Sequence, residues 1–235
     1  MTTRLKLGGL ALVMVAVATL AVPEPAWATP LLPGGTVTPV AFGQFSGGVV
    51  ADTGATPYAL APGPGTGTVR ELVIADAMNP FGAGDLTFVL YVAPLTGDGD
   101  IDTVSLSSVG ALSVDVAQAI GNALLVPPTI LPPVLAGSAD RLTSGVVNFT
   151  ILPPNGMPDT AGSGTYLYLI RTPATSFTTG TIVVGGDNVD NTPGSASLPG
   201  FAPVAPVPEP ASMLLLGTGL IGFGARRWRN RRQGK

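Results

Sequence analysis

The chain of 235 residues contains no cysteine and no histidine, and these two absences exclude a large part of protein chemistry. Zinc sites built from imidazole or thiolate ligands, cysteine nucleophiles and Ser-His-Asp triads all need one of these residues. The chain also cannot form disulfides, so an exported form must be stabilised by its own core or by binding.

Charge is scarce as well, at 11% of residues against about a quarter in typical proteins. Between Thr29 and Val207 the basic residues are only Arg70, Arg141 and Arg171, whereas twelve residues are acidic. Nucleic-acid binding needs a basic surface. The sequence therefore predicts no nucleic-acid partner for this interior.

Glycine and proline, in contrast, are abundant, with 32 and 24 residues. Both oppose helix interiors, so long helices are disfavoured. Short runs of alternating apolar residues lie between turns rich in these two residues. Leu86–Val92 (LTFVLYV) and Thr165–Arg171 (TYLYLIR) are apolar on both faces, as in strands that are buried on both sides.

Further strands are predicted along the interior. Ala111–Gln118 (ALSVDVAQ) is expected to direct Val114 and Val116 inward and Asp115 outward. An early strand pair is expected within Thr36–Ala51. The other candidates read GTVRELVIAD, DTVSLSSV, GVVNFTI and SFTTGTIVVG.

Short strands with such turns predict an all-β domain, an antiparallel β-sandwich of jelly-roll or Ig-like type, over residues 29–198. Val126–Gly137 (VPPTILPPVLAG) interrupts the strand rhythm and is interpreted as a polyproline-type connection. Residues 199–207 are interpreted as an extended, proline-rich linker.

The N-terminal region has the three parts of a secretory signal peptide. Arg4 and Lys6 precede the uncharged, largely apolar run Gly8–Val22, and Ala26-Trp27-Ala28 follows as a cleavage motif with small residues around one large one. Cleavage after Ala28 would remove residues 1–28. An uncleaved membrane anchor is the alternative.

The C-terminal region repeats the pentapeptide VPEPA, found first at Val22–Ala26, in a different context. Pro208-Glu209-Pro210 precede the uncharged segment Ala211–Ala225, which would rise about 22 Å as a helix, less than the ~30 Å of a bilayer core. A basic tail then favours a cytoplasmic C-terminus. Its residues are Arg226, Arg227, Arg229, Arg231 and Arg232.

In motif, order and position, residues 208–232 resemble the PEP-CTERM sorting signal. The resemblance implies recognition of Pro208, Glu209 and Pro210 by an exosortase, a membrane enzyme of Gram-negative bacteria that also make exopolysaccharide. The apolar segment, a hydrophobic sorting helix, and the arginines would retain the precursor transiently in the inner membrane. Many such proteins carry an extracytoplasmic β-sandwich, which Phe42–Gln118 resembles. A simple tail anchor is the alternative.

The sharpest acidic motif of the interior is TGDGDID, which places Asp98, Asp100 and Asp102 at alternate positions. Oxygen ligands from a tight acidic loop suit Ca²⁺, but Thr103 and Val109 stand where an EF-hand has its glycine and its last glutamate. A solvated hairpin turn is the alternative interpretation. No other cofactor is predicted.

The sequence favours a non-enzymatic surface or extracellular-matrix protein, with an address at the outer membrane, the cell surface or the matrix. A module that binds polysaccharide or calcium is the second hypothesis. A secreted hydrolase is the third, because Glu71 is the only glutamate of the interior and no acid/base pair stands out.

Overall fold

The structure, a computed structural model, describes residues 30–42, 47–63, 65–96, 100–119, 134–151, 157–158, 167–187 and 192–206. The predicted signal peptide and sorting helix lie outside these residues. Everything the structure describes is β-strand, turn or irregular chain. Within the described part of the chain, no helix is long and apolar enough to cross a membrane.

In the described part of the chain, fourteen strands form two seven-stranded sheets, which confirms the predicted β-sandwich. The strands are β1 Thr36–Val37, β2 Val40–Phe42, β3 Gly47–Asp52, β4 Thr56–Ala59, β5 Thr66–Asp76, β6 Leu86–Thr96, β7 Asp100–Leu106, β8 Asp115–Ala119, β9 Ala136–Arg141, β10 Val147–Ile151, β11 Met157–Pro158, β12 Leu167–Arg171, β13 Ser176–Asp187 and β14 Pro193–Val204.

Sheet A has the order β2-β8-β12-β6-β5-β3, with β4 also paired to β5. Sheet B has the order β1-β9-β10-β7-β13-β14, with β11 paired to β7. The pairs are antiparallel except β2 and β8, which run parallel. The predicted early strands exist, but each pairs elsewhere: β1 with β9, β2 with β8 and β3 with β5.

The main core lies between the sheets and draws on both of them. Phe149 of sheet B stacks on Tyr168 of sheet A, with ring centroids 4.9 Å apart. The Tyr168 hydroxyl donates to the Val134 carbonyl at 3.1 Å, so the buried phenol has a hydrogen-bond partner. This cross-sheet contact supplies specific geometry as well as apolar area.

The strands that the sequence predicts to be apolar on both faces are buried on both faces. Leu86, Phe88, Leu90 and Val92 of β6 belong to the main core, whereas Val89 and Tyr91 belong to a second apolar cluster. β12 behaves in the same way, with Tyr168 and Ile170 opposite Leu167 and Leu169. The two-residue period of a strand explains this division.

Three expectations need correction. The linker interpretation of residues 199–207 is wrong as far as Val204, because β14 pairs with β13 in continuous register from Pro193 to Val204. Asp115 is on the face opposite Val116, as predicted, but it is 1% exposed and not solvated. Of the interpreted polyproline connection, Ala136 and Gly137 belong to β9, and residues 126–133 lie outside the described residues.

Candidate functional site

All of the predicted processing residues lie outside the described residues. These are Ala26, Trp27 and Ala28 at the signal-peptide end, Pro208, Glu209 and Pro210 in the sorting motif, and the tail arginines Arg226, Arg227, Arg229, Arg231 and Arg232. Their roles stay predictions. The structure does describe the strand that leads into the sorting motif.

That strand, β14, is the last of the domain and is attached to both sheets. It pairs with β13 in sheet B along its whole length. Towards sheet A, the amide of Ser195 donates to the Ala61 carbonyl at 3.2 Å, and the Ala61 amide returns a bond at 3.1 Å. Residues 205–207 alone separate β14 from Pro208, which covalent geometry limits to a span of about 14 Å.

Glu71 of β5 makes a second attachment of β14 to sheet A. Its Oε2 accepts the Phe201 amide at 2.7 Å, whereas Oε1 has no hydrogen-bond partner among the described residues. The side chain is 0% exposed. Burial raises the pKa of Glu71 from 4.5 to about 8, and the Phe201 amide opposes that shift.

The predicted calcium ligands are only partly described. Asp98 lies outside the described residues, and Asp100 and Asp102 lie in β7. The pairing of β7 with β13 places Asp187 opposite Asp100. Burial and the Asp187 charge raise the pKa of Asp100, and the same two causes, followed by the Asp100 charge, raise that of Asp102.

Asp100, Asp102 and Asp187 therefore repel one another where the last residue of β13 pairs with the first residue of β7. No group of three or more potential metal-binding side chains is found among the residues that the structure describes. Calcium binding stays a prediction. Local sequence patterns could not predict that Asp187 lies opposite Asp100, because the two residues are 87 positions apart in the chain.

A buried charge network lies at one end of sheet A. Arg171 Nη1 lies 3.5 Å from Asp115 Oδ2, and its Nε lies 3.7 Å from Asp76 Oδ2. Asp76 also accepts the Thr87 hydroxyl at 3.1 Å and the Met78 amide at 2.9 Å. All three charged side chains are at most 2% exposed. We interpret this buried network of paired and hydrogen-bonded charges as part of the structure and not as a reaction site.

Beside this network lies a cavity of about 290 Å³, here called the Arg141 cavity. Its walls are residues 30–33, the β5–β6 loop at Pro80 and Phe81, the β7–β8 loop at residues 111–114, and the side chains of Asp115 and Arg141. No sequence motif predicted this cavity. Only the rarity of basic residues in the interior distinguishes Arg141 in the sequence.

Comparison with known proteins identifies the C-terminal region. The family model of the PEP-CTERM protein-sorting motif matches residues 206–232. The predicted motif at Pro208, Glu209 and Pro210 and the five tail arginines fall within the match. No curated protein and no solved structure matches the chain.

Proposed function

We propose, from the PEP-CTERM protein-sorting motif that this chain carries, that it is the precursor of a non-enzymatic surface or extracellular-matrix protein. The motif implies export, recognition by an exosortase and processing at the membrane. The finer proposal places the finished protein at the outer membrane, at the cell surface or in an exopolysaccharide matrix of a Gram-negative bacterium. The observation that carries the proposal is the match at residues 206–232.

The geometry of β14 supports this proposal. The strand ends at Val204, so three residues lie between the last described strand and Pro208. An enzyme that binds Pro208-Glu209-Pro210 must therefore work within about 14 Å of the last strand. The sandwich is the exported domain, and the sorting motif is the C-terminal segment that processing removes.

The described carboxylates support a non-enzymatic domain. Glu71 holds the Phe201 amide between the sheets, and Asp76 and Asp115 hold Arg171. Glycoside hydrolysis needs two carboxyl groups that flank a substrate bond. Structural use of these buried acids leaves a secreted hydrolase as the third hypothesis.

Calcium binding by the sandwich is the second candidate function. The observation that favours it is that Asp187, the last residue of β13, stands opposite Asp100, the first residue of β7. Burial raises the pKa of Asp100 and Asp102, and the Asp187 charge raises both further. A divalent cation would relieve that repulsion.

The sorting role is tested with the two copies of VPEPA in the producing cell. Replacing Pro208, Glu209 and Pro210 together by alanine should leave a full-length, membrane-retained form that lacks only residues 1–28. The matched control replaces Pro23, Glu24 and Pro25, and it should leave export and C-terminal processing unchanged.

Intact-mass measurement and membrane fractionation follow both changes. The parent protein should lack both ends, with the C-terminal break near residues 208–211. A parent mass that still includes Arg226–Lys235 would show a tail anchor and contradict processing by an exosortase.

A further inference from the structure

The three basic side chains of the described residues have different surroundings. Arg70 pairs with Asp52, with Nη2 and Oδ2 2.7 Å apart, and Arg171 pairs with Asp76 and Asp115. Arg141 forms no ion pair with a carboxylate in the described part of the chain. It is nevertheless 2% exposed. A buried charge is costly unless it is paired, so Arg141 requires an explanation.

The partners of Arg141 are neutral carbonyl groups. Nη1 donates to the Leu31 carbonyl at 3.3 Å and Nη2 to the Gly110 carbonyl at 2.8 Å, whereas Nε has no hydrogen-bond partner among the described residues. A guanidinium cannot lose its proton in a protein. Arg141 therefore contributes a full positive charge to the lining of the Arg141 cavity.

The rest of that wall is largely apolar. Pro30, Pro33 and Pro80 line it, Leu31 is 1% exposed beneath it, and Leu32 and Phe81 line it while 72% and 38% exposed. At about 290 Å³, the cavity is at the lower limit of small-molecule pockets. It would take a ligand of about one ring.

The loops that form the cavity are held in place by hydrogen bonds. The Leu31 amide donates to the Val114 carbonyl at 2.8 Å. Asn79 Nδ2 donates to the carbonyls of Leu86 and Thr172 at 3.2 and 3.1 Å, and its Oδ1 accepts the Phe81 amide at 3.0 Å. Such anchoring is typical of pockets that are formed before the ligand arrives.

One acidic side chain also lines the cavity, and its charge is offset. The carboxylate of Asp115 lies 3.5 Å from Arg171 Nη1. Asp140, the chain neighbour of Arg141, accepts the Asn148 side-chain amide at 3.0 Å. The cavity thus combines largely apolar walls with a cation that forms no ion pair among the described residues.

We infer that the Arg141 cavity binds a small organic carboxylate, in which a single carboxylate is carried on a compact, largely apolar ring. The carboxylate supplies the missing counter-ion of Arg141, and the ring packs against the proline, leucine and phenylalanine side chains. This site does not depend on the proposed sorting role.

Calorimetric titration of the full-length chain in a neutral detergent tests this inference. The probes are benzoate and cyclohexanecarboxylate, with their uncharged amides, benzamide and cyclohexanecarboxamide, as matched ligands. Charge-assisted hydrogen bonds are stronger than neutral ones, so the acids should bind about tenfold more tightly than the amides. Galacturonate and galactose form a second pair, which shows whether a sugar acid is accepted as well.

Variants at the exposed edge of the cavity locate the site without disturbing its buried cation. Leu32→Glu should weaken benzoate binding about two- to threefold and Leu32→Lys should strengthen it by a similar factor, which is the effect of one unit charge about 8 Å away in water. Val50→Glu is the control, because Val50 is 51% exposed on β3, outside the cavity. It should leave the affinity unchanged.

Arg141→Lys and Arg141→Met complete the set for whichever of them folds, and Met should abolish the preference for acid over amide. The inference is overturned if neither acid binds, if acids and amides bind equally, or if Leu32→Glu and Leu32→Lys have the same affinity as Val50→Glu. Acid binding that responds to the sign of the charge at Leu32 supports it.

Discussion

Glu71 is a carboxylic acid enclosed between two sheets, and its charge state decides how strongly β14 is attached to sheet A. Its Oε2 accepts the Phe201 amide, and its Oε1 has no hydrogen-bond partner among the described residues. A protonated carboxyl is the less costly form in such a place, because burial penalises the charge. Single residues of this kind connect pH to stability.

Replacing Glu71 by glutamine should remove a pH dependence from folding. The folded pKa is about 8 and the ordinary value is 4.5. The stabilising contribution of the protonated acid is thus complete below pH 4.5 and is lost as the pH rises through 8. In denaturant unfolding, the stability of Glu71→Gln relative to the parent should increase by at least about 2 kcal/mol from pH 5 to pH 9. Parallel pH curves for the two proteins would contradict this.

Removing the charge of Asp187 should stabilise the protein at pH 7 without calcium. Asp187 faces Asp100 across the sheet. Burial, and then the Asp187 charge, raise the pKa of Asp100, so stability is lost as Asp100 ionises. We expect Asp187→Asn to add about 0.2–1 kcal/mol to the free energy of unfolding.

The control for Asp187 is a carboxylate that faces a cation. Asp52 pairs with Arg70, whose side-chain hydrogen bond lowers the pKa of Asp52, so Asp52→Asn should leave stability unchanged or lower it by up to about 1 kcal/mol.

Millimolar Ca²⁺ tests the metal hypothesis. A site that includes Asp100 and Asp102 would raise the melting temperature of the parent, and Asp100→Asn would remove that increase.

At the scale of strands, β14 shows how a proline-containing sequence is accommodated in a sheet. The amides of Ser195 and Phe201 donate to Ala61 and Glu71, away from β13. The N–H groups of every second residue in a strand point to the same side, so those of the odd-numbered residues of β14 point away from β13. Pro193, Pro199 and Pro203 are odd-numbered, so their missing N–H groups cost no bond to β13. Edge strands tolerate proline for this reason.

The strands that could be predicted are those with large apolar side chains. β6 and β12 contain nearly continuous runs of Leu, Val, Phe, Tyr and Ile, which are typical of strands buried on both faces. β9 (AGSADR) and β14 (PGSASLPGFAPV) consist mostly of small or polar residues, so their alternation has little contrast. The partners of Asp115 and Arg141 could not be predicted either, because they lie on other strands and loops that are distant in the chain.

A methyl group at Gly200 should destabilise the junction between β14 and β5. A Cβ atom there would collide with Glu71 Oε2 and would lie 2.7 Å from Ile182 Cγ1. Overpacking of this kind costs about 1–3 kcal/mol, so Gly200→Ala should lower the denaturant midpoint by that equivalent. Gly48→Ala is the matched control, because a Cβ at Gly48 meets nothing within 4 Å. Equal effects of the two changes would refute the close approach.

At the scale of the whole molecule, the sandwich should fold without the two ends of the chain. Residues 29–206 expressed alone should give a β-type far-UV spectrum and one cooperative melt, because the main core joins both sheets. The fragment 29–198 ends inside β14 and loses the Phe201 bond to Glu71. It should melt at a lower temperature. Equal melting temperatures would show that residues 199–204 add nothing to the domain.

The position of β14 has a consequence for the order of events during export. A chain is made from its N-terminus, so Val204 is among the last residues of the domain to emerge from the translocation machinery. Sheet B gains its final edge strand only then, and the sorting motif follows within a few residues. Completion of the fold and arrival of the motif at the membrane are therefore nearly simultaneous. The sorting motif therefore reaches the membrane only when the described strands of the domain are all available to fold.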